Sequence, residues 1–520
     1  MTAARSRRHV GLAALVPLLT GLLAPVASAQ DLEALDAYFS QAREAWGVPG
    51  LAVAIVRDGE VVLARGYGVR ELGAAEPVDE NTLFAIASNS KAFTSAALAM
   101  LVDAGELSWD DRVRDHLPWF ETYDPWVAAD MRVRDVLSHR SGLGTYSGDL
   151  LWYGTGYTPE EVVRRAAALD PAGAFRASYG YSNIMFLVGG LLVEEVSGMS
   201  WSDFIHQRIL NPLGMRRTVT STDSLPNRDN VARPHGFDWD GEPRPYDWYN
   251  WDAMAAAGGI ISSASEMARW LELQVGRGEL EGQRLFTERQ AEEMWTVHNP
   301  QVVTASSRES YPSTHFRGYG LGWSLMDYQG RKVMSHGGGY DGMFSRVLIV
   351  PEERLGIVLL TNGMTSLQTA LGYRILDAFL GGEERDWSGS MLPEWKRGHE
   401  REWRRRHDAV ARTVEGTRPS LALDAYEATF RSALYGDATV LLEGGGLVLR
   451  LLPNPDLVAD LVHLQHDTFR VDWRTPLAWF GKGTAQFILD AGGEVIELRL
   501  DVPNEDLWFT ELELMRVEGR

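Results

Sequence analysis

Runs typical of β-strands stand far apart in this chain, with helical patterns between them. Residues 51–57 and 60–67 are largely apolar or alternate around Asp58-Gly59, a pair that favours a β-hairpin. Three more strand-like runs come much later, at residues 322–328, 344–350 and 355–361. Strands so distant in sequence share a core when one sheet is assembled from both ends. The pattern predicts an α+β fold, with an antiparallel sheet flanked by helices.

Helical patterns fill the region between these strands. Residues 84–103 are rich in alanine and periodic enough for a buried helix that begins near Ser88 and ends at Ala104-Gly105. Further helices are predicted at residues 159–169, 184–197, 264–275 and 366–380. Loops rich in Gly, Pro and Trp separate them. The tryptophans at 239–251 could line a groove for a peptide or glycan, and ordinary packing in the core or at its rim is the alternative.

The character of the chain changes after Arg385. Residues 394–413 predict a charged helix, which the segment from Gly416 to Pro419 breaks. Short strand patterns follow at 438–443, 447–452, 460–464, 468–473, 484–489, 494–500 and 507–515. They predict a small antiparallel barrel or sandwich. The chain thus divides into residues 1–29, a main domain at 30–385, a charged helical linker at 386–419 and a C-terminal β-domain at 420–520.

The first residues have the order of a cleavable secretory signal. Arg5, Arg7 and Arg8 precede an apolar run, and small residues lead up to Ala29, after which we expect cleavage. The run is short for a bilayer span and contains prolines, which disfavours a membrane anchor. We therefore expect a secreted or periplasmic protein without stable membrane insertion.

Charge and cysteine content exclude several classes of function. The net charge is −21, and residues 1–29 carry three arginines and no acid, so the mature chain has −21 − 3 = −24. The negative net charge repels the phosphate backbone, so nucleic acid is not an expected partner. The absence of cysteine excludes disulfides, thiolate metal sites and cysteine nucleophiles. Histidine spacing gives no metal motif, and we expect neither a metal nor an organic cofactor.

Lysine is rare in this chain, and Lys91 lies at a position that suits catalysis. Of fifty basic residues only four are lysine, so each marks a place where arginine does not substitute. Lysine can lose its proton, whereas arginine cannot. Lys91 follows Ser88 by three residues, which puts both side chains on one face of a helix. The pair predicts a nucleophile beside its base. The same pattern also fits a serine that caps the helix and a lysine that is exposed to solvent.

Two more motifs carry groups suited to the same chemistry. In Tyr181-Ser182-Asn183 the phenol could relay a proton and the amide could hold the lysine or a substrate carbonyl. The alternatives are a packed aromatic and an N-cap asparagine. In His336-Gly337-Gly338-Gly339, placed before the strand at 344–350, glycines let a ligand approach the backbone. Ordinary turn chemistry with a loop histidine is the alternative there.

Together these motifs resemble a known enzyme family. Ser88-Asn89-Ser90-Lys91, Tyr181-Ser182-Asn183 and His336-Gly337-Gly338 are similar to the Ser-x-x-Lys, Tyr-x-Asn and His/Lys-x-Gly motifs of class C β-lactamases, D-Ala-D-Ala carboxypeptidases and related serine hydrolases. The resemblance covers about residues 35–380. It implies a β-lactamase/transpeptidase-like domain that pairs the sheet with an all-helical region. The pattern after Tyr426 looks like a lipocalin-like domain appended to some of these enzymes.

The resemblance also assigns roles to residues. Ser88 would be acylated, Lys91 and Tyr181 would share the proton transfers, and Asn183 would orient Lys91 and the substrate amide. His336 would take the place of a lysine. The oxyanion hole would consist of the backbone N–H groups of Ser88 and Gly339, and Gly337 and Gly338 would bind substrate.

The implied activity is hydrolysis of an amide or ester through an acyl-serine. The implied substrate is a small peptide, a D-amino-acid amide or an ester, as for a D-aminopeptidase or D,D-carboxypeptidase. A neutral imidazole at His336 attracts a carboxylate less strongly than lysine does, which disfavours efficient recognition of β-lactams and D-Ala-D-Ala and leaves esterase and D-aminopeptidase activity open. The alternative within the family is a carboxylesterase or a weak β-lactamase. A penicillin- or peptidoglycan-binding protein without turnover is the alternative from another class.

Overall fold

A computed structural model describes residues 29–411 and 413–517 of this chain. The predicted secretory signal lies outside the described residues except for Ala29, so the signal and its cleavage stay predictions. The division into domains at residues 385 and 419 also stays a prediction.

Eight antiparallel strands form the main sheet. They are β1 (Gly50–Arg57), β2 (Glu60–Gly68), β3 (Asn299–Gln301), β4 (Arg317–Tyr319), β5 (Ser324–Tyr328), β6 (Arg331–Tyr340), β7 (Met343–Val350) and β8 (Leu355–Thr361). Their order across the sheet is β2-β1-β8-β7-β6-β5-β4-β3. The early strand β1 pairs with the late strand β8, with Leu51 opposite Thr361. The predicted assembly of one sheet from both ends of the domain is confirmed.

Alternate residues of β1 enter two separate cores. Val53 and Ile55 pack into one core with helices from both ends of the domain, while Ala52 and Ala54 face the other core, on the helical side. Successive side chains of a strand point to opposite faces, so a strand buried on both faces must be apolar throughout. This explains the unbroken apolar run at residues 51–56.

Fifteen α-helices occupy the described residues. They are α1 (Ala29–Ala45), α2 (Ser90–Asp103), α3 (Val113–His116), α4 (Pro125–Asp130), α5 (Val133–Val136), α6 (Pro159–Arg165), α7 (Asn183–Ser197), α8 (Trp201–Ile205), α9 (Asn211–Leu213), α10 (Ala255–Gly258), α11 (Ala264–Val275), α12 (Glu288–Met294), α13 (Ala305–Ser310), α14 (Leu367–Leu380) and α15 (Trp387–Ala411). Helices α1 and α14 pack on one face of the sheet, and α11 packs on the other.

Helices α2 and α7 pack closely in the helical region and position the site. A Cβ on Gly190 of α7 would lie 2.6 Å from Cβ of Ala256, and one on Gly189 would lie 3.3 Å from Cγ2 of Thr94 on α2. These glycines therefore let three helices approach one another more closely than side chains would permit. Close packing brings the first turns of α2 and α7 together.

The structure decides between the two interpretations of the backbone at His336-Gly337-Gly338-Gly339. The run precedes the strand predicted at 344–350, but it lies inside β6 and does not form a turn, which comes later, at Asp341-Gly342. Gly342 has a φ of 82°, as a turn requires. The glycines of β6 serve close approach instead, since a Cβ on Gly338 would lie 2.3 Å from the carbonyl oxygen of Ile86.

The C-terminal part is a closed eight-stranded barrel, in agreement with a lipocalin-like fold. Its strands are β9 (Ala428–Ser432), β10 (Gly436–Glu443), β11 (Gly446–Leu451), β12 (Val458–Gln465), β13 (Thr468–Trp473), β14 (Gly483–Leu489), β15 (Val495–Asp501) and β16 (Leu514–Arg516). Two sequence predictions were wrong here. Strand β9 was missed, and the strand predicted at 507–515 is confined to β16, because Phe509–Glu511 forms a 3₁₀ turn.

The barrel packs directly on the main domain. Asn454 donates its side-chain amide to the carbonyl oxygen of Tyr153 at 2.8 Å, and the hydroxyl of Tyr157 donates to the carbonyl oxygen of Tyr435 at 2.6 Å. Across residues 29–411 and 413–517, no single helix has both the length and the apolar character of a bilayer span. The pair Asn183–Ser197 and Trp201–Leu213 reaches them only when its two bent halves are counted together.

Candidate active site

Ser88 lies in a short 3₁₀ turn, Ala87–Asn89, which immediately precedes α2. Ala87 has a φ of 47°, in the left-handed region that a side chain rarely adopts. Its neighbours Ala87 and Asn89 are buried, whereas Ser88 stays partly exposed. The unusual backbone at Ala87 thus directs one hydroxyl out of an otherwise buried turn.

Lys91 is fully buried beside Ser88. Its Nζ atom lies 3.1 Å from Oγ of Ser88, 2.7 Å from Oδ1 of Asn183 and 2.9 Å from the carbonyl oxygen of Ala257. Burial lowers the pKa of Lys91 to about 7, and the nearby Asp149 opposes the shift. A large fraction of this amine is therefore neutral near pH 7 and able to accept a proton.

Asn183 connects Lys91 to a carboxyl group that the sequence did not reveal. Its Oδ1 accepts from Lys91, and its Nδ2 donates to Oδ2 of Asp149 at 2.6 Å. Asp149 is buried, and burial raises its pKa to about 8. The two contacts fix the orientation of the amide, because an amide oxygen cannot donate and an amide nitrogen cannot accept. Ser182 caps α7 by accepting from N–H of Met185, a role we had weighed for Asn183.

Tyr181 faces the same pair of side chains. Its ring centroid lies 4.8 Å from Nζ of Lys91, and its N–H donates to Oγ1 of Thr145 at 3.1 Å. Burial raises the pKa of Tyr181 well above its usual value, and a hydrogen bond with Ser88 opposes the shift. The phenol consequently keeps its proton at neutral pH and can donate it.

His336 is buried on β6 and is held as a neutral ring. Its Nδ1 lies 2.6 Å from the carbonyl oxygen of Gly337, and its Nε2 lies 2.8 Å from the hydroxyl of Tyr319. Because a carbonyl oxygen only accepts, we assign the proton to Nδ1, which leaves Nε2 to accept from Tyr319. Burial, aided by the charge of Lys91, lowers the pKa of His336 to about 3. The position offers no positive charge to a substrate carboxylate.

The turn that carries Ser88 is fastened to the glycine segment of β6. Oγ of Ser345 donates to the carbonyl oxygen of Ile86 at 2.7 Å and accepts from Nδ2 of Asn89 at 2.9 Å. Ser345 is opposite Gly338 in the β6–β7 register, and Phe344 is opposite Gly339. The structure therefore brings the Ser88 turn next to Gly338 and Gly339. Gly337 is exposed at the same place.

The barrel contributes residues to the surroundings of this cluster. The carboxylate of Glu511 accepts from Oγ of Ser147 at 2.6 Å and from N–H of Gly148 at 2.8 Å, immediately before Asp149. Trp479 lies against Gly339, where an added Cβ would be 3.1 Å from its ring. Neither residue belongs to a motif, so no local sequence signal could have found them.

The described residues contain no group of three or more His, Cys, Asp or Glu side chains placed to hold a metal ion. The site consists of a hydroxyl, an amine, a phenol, an amide and a backbone edge. These groups can carry out nucleophilic attack, proton transfer and stabilisation of an oxyanion.

Comparison with protein families gives two matches. The family model described as "Beta-lactamase" matches residues 35–380, and the model described as "Domain of unknown function (DUF3471)" matches residues 412–516. The first match contains Ser88, Lys91, Tyr181, Asn183 and His336. The second begins directly after α15 and covers the barrel.

Several curated proteins are similar to this chain. The penicillin-binding protein 4 of Amycolatopsis lactamdurans is 31% identical over 357 residues, which cover 66% of this chain and 89% of that protein. The unguisins hydrolase of Aspergillus violaceofuscus is 29% identical over 373 residues, covering 67% of this chain and 65% of that protein. A D-aminopeptidase of Gluconobacter oxydans is 27% identical over 341 residues, with 64% and 59% covered. The chain thus spans about two thirds or less of the length of the last two relatives.

A solved structure agrees with the fold over nearly the whole chain. The octameric penicillin-binding protein homologue from Pyrococcus abyssi superimposes with a TM-score of 0.61 at 22% sequence identity, covering 94% of this chain and all of that one. At this identity the likeness bears on the fold, and it includes the C-terminal part.

Proposed function

The chain belongs to the beta-lactamase family and is a serine hydrolase, and from that premise we propose that it cleaves a small amide or ester through an acyl-Ser88 intermediate. The observation that carries the proposal is the 3.1 Å approach of the Lys91 amine to the Ser88 hydroxyl. A buried amine with a pKa of about 7 is suited to remove the proton of that hydroxyl at neutral pH.

In the first step Lys91 accepts the Ser88 proton while Oγ bonds to the carbonyl carbon of the substrate. The backbone N–H groups of Ser88 and Gly339 stabilise the negative charge that develops on the carbonyl oxygen. The bond to the leaving group then breaks, Tyr181 donates its proton to that group, and Lys91 returns a proton to Tyr181. Water attacks the acyl-enzyme by the same proton path in reverse and releases the acid and free Ser88.

We infer the substrate class from the uncharged state of His336 and from the names of the relatives. The relatives carry the names D-aminopeptidase, penicillin-binding protein 4 and unguisins hydrolase. These names support a small peptide or D-amino-acid amide as substrate. The uncharged His336 supports esters as the second candidate, because binding of an ester or amide does not require a cation for a free carboxylate. The leader-like residues 1–29 support export to the periplasm or medium as the place of action.

A substrate panel tests this proposal. The purified protein is assayed with D- and L-aminoacyl anilides, p-nitrophenyl esters, D-Ala-D-Ala peptides and a chromogenic cephalosporin, with Ser88→Ala as the blank. We expect turnover of D-aminoacyl anilides or esters that Ser88→Ala abolishes, and mass spectrometry should place a fluorophosphonate adduct on Ser88. Equal turnover by Ser88→Ala, or an adduct elsewhere, would contradict the proposal.

A further inference from the structure

An aromatic cavity lies behind the glycine edge of the active site. Its volume is about 790 Å³, within the range of small-molecule sites. Three elements form its walls: residues 237–246 of the main domain, helix α15, and the barrel segment 473–482. Each element comes from a different one of the parts predicted from the sequence, so the cavity exists only in the assembled chain.

The walls of this cavity are built mainly from stacked aromatic side chains. His407 stacks between Trp239, at 4.0 Å, and Trp403, at 3.8 Å between ring centroids. Nε1 of Trp403 donates to the carbonyl oxygen of Trp239 at 3.1 Å, so the polar edge of this indole is already occupied. Such walls present flat apolar faces to whatever enters.

The basic side chains that line the cavity already have partners. Nε of Arg406 lies 2.9 Å from Glu402, and Nζ of Lys482 lies 3.6 Å from Asp472. The guanidinium of Arg244 lies over the ring of Tyr246 at 5.3 Å. An anionic ligand would have to displace these contacts and would also face the acidic residues Asp238, Asp240 and Glu505 of the lining, whereas the aromatic faces favour an apolar group.

The cavity shares a wall with the catalytic strand. Phe344 and Trp479 both line it, and a Cβ on Gly339 would lie 3.2 Å from the first ring and 3.1 Å from the second. Gly338, the preceding residue, lies against the Ile86–Ala87 segment that carries Ser88, on the opposite face of β6. Only a few residues therefore separate the nucleophile from the aromatic walls.

We propose that this cavity is a specificity subsite that takes an apolar group attached to the acyl side of the substrate. The inference rests on the proposed function and adds its substrate class: amides or esters whose acyl part carries a long alkyl or aromatic substituent. Burial of each methylene in such a site favours the reaction about fourfold. The barrel then acts in substrate selection, because Trp479 and Lys482 belong to it.

Phosphonylation of Ser88 tests the subsite without dependence on turnover. Two fluorophosphonates that differ only in a methyl or an octyl group on phosphorus are compared by their second-order rate constants. In each reaction the Ser88 Oγ–P bond forms, the P–F bond breaks and fluoride leaves, while Lys91 takes the proton. We expect the octyl reagent to react at least about 50-fold faster than the methyl reagent.

Variants connect that preference to the cavity. Ser366 lines the cavity and makes no side-chain cap to α14, so Ser366→Phe fills the space without loss of a cap. The octyl-to-methyl ratio should fall about tenfold in Ser366→Phe. Should that protein not fold, Trp403→Ala removes a wall and should lower the same ratio. Trp126→Ala, at an exposed tryptophan on α4 outside the cavity, is the matched control and should keep the wild-type ratio.

The outcomes separate the two proposals. If neither reagent labels Ser88, the proposed function is wrong and the subsite is wrong with it. If both reagents label Ser88 at similar rates, or if Ser366→Phe and Trp403→Ala keep the wild-type ratio, the nucleophile stands and the subsite is overturned.

Discussion

Asp149 and Lys91 are joined through a single amide, that of Asn183, with contacts of 2.6 Å and 2.7 Å. The carboxyl group of Asp149 therefore acts on the amine of Lys91 indirectly, through the side chain of Asn183. When this carboxyl group is ionised, its charge raises the pKa of Lys91 against the larger, opposite effect of burial. Asp149 is a positioning residue, since its side chain reaches the nucleophile only through this chain of hydrogen bonds.

The first prediction concerns the dependence of acylation on pH. Because Lys91 must be neutral to accept the Ser88 proton, the acylation rate should rise with pH and level off above its pKa of about 7. Asp149, whose own raised pKa is about 8, ionises over the same pH range and then raises the pKa of Lys91, so in Asp149→Asn the rising limb should end at lower pH. The pH profile of fluorophosphonate labelling measures both. A limb that stays in place or moves to higher pH in Asp149→Asn would contradict this account.

The second prediction concerns the identity of the base. Lys91→Arg keeps a cation but removes the ability to give up a proton, so acylation should fall by about 10²–10⁴-fold. Lys396→Arg, at an exposed lysine of α15, is the matched control and should leave the rate unchanged. Stopped-flow or time-course labelling gives the rate constants. A Lys91→Arg protein that labels at more than a tenth of the wild-type rate would exclude Lys91 as the base.

Local patterns were sufficient to predict the parts of the site that one short segment encodes. The spacing of Ser88 and Lys91 corresponds to one helical turn, and the structure places their side chains 3.1 Å apart. The hairpin at Asp58-Gly59 forms because both residues adopt positive φ, at 55° and 85°. In such cases the backbone geometry is set by residues within a few positions of one another.

Two kinds of feature could not be predicted in this way. Asp149 begins a short 3₁₀ turn, Asp149–Leu151, and its role depends on the contact of its carboxyl group with Asn183 at the start of α7. The run of glycines at 337–339 left two interpretations open, because a turn and a close approach of another group to the backbone both select glycine. Only the contact of Gly338 with Ile86, from a distant part of the chain, distinguishes the two.

The third prediction tests that close approach. A Cβ on Gly338 would lie 2.3 Å from both the carbonyl oxygen of Ile86 and Oγ of Ser345, so Gly338→Ala must separate β6 from the Ser88 turn. We expect a loss of about 1–3 kcal/mol in the free energy of unfolding, together with slower labelling of Ser88. The control is Gly337→Ala, where the nearest atom, at 4.0 Å, is the carbonyl oxygen of Ser345. Thermal unfolding should leave this control near the wild type, and equal stability of the two variants would disprove the packing argument.

The fourth prediction concerns the contact between the barrel and the catalytic loop. Glu511 holds Ser147 and Gly148 from the barrel side, next to Asp149. Its removal in Glu511→Ala leaves the N–H of Gly148 and the hydroxyl of Ser147 without their acceptor, at a cost of about 1–3 kcal/mol. The loop should then shift and weaken the hydrogen bond between Asp149 and Asn183. Because Asn183 orients Lys91, acylation should slow by about tenfold. Glu513→Ala, two residues away at an exposed position, is the matched control. If labelling of Ser88 proceeds equally fast in both variants, the barrel does not position the catalytic loop through this carboxylate.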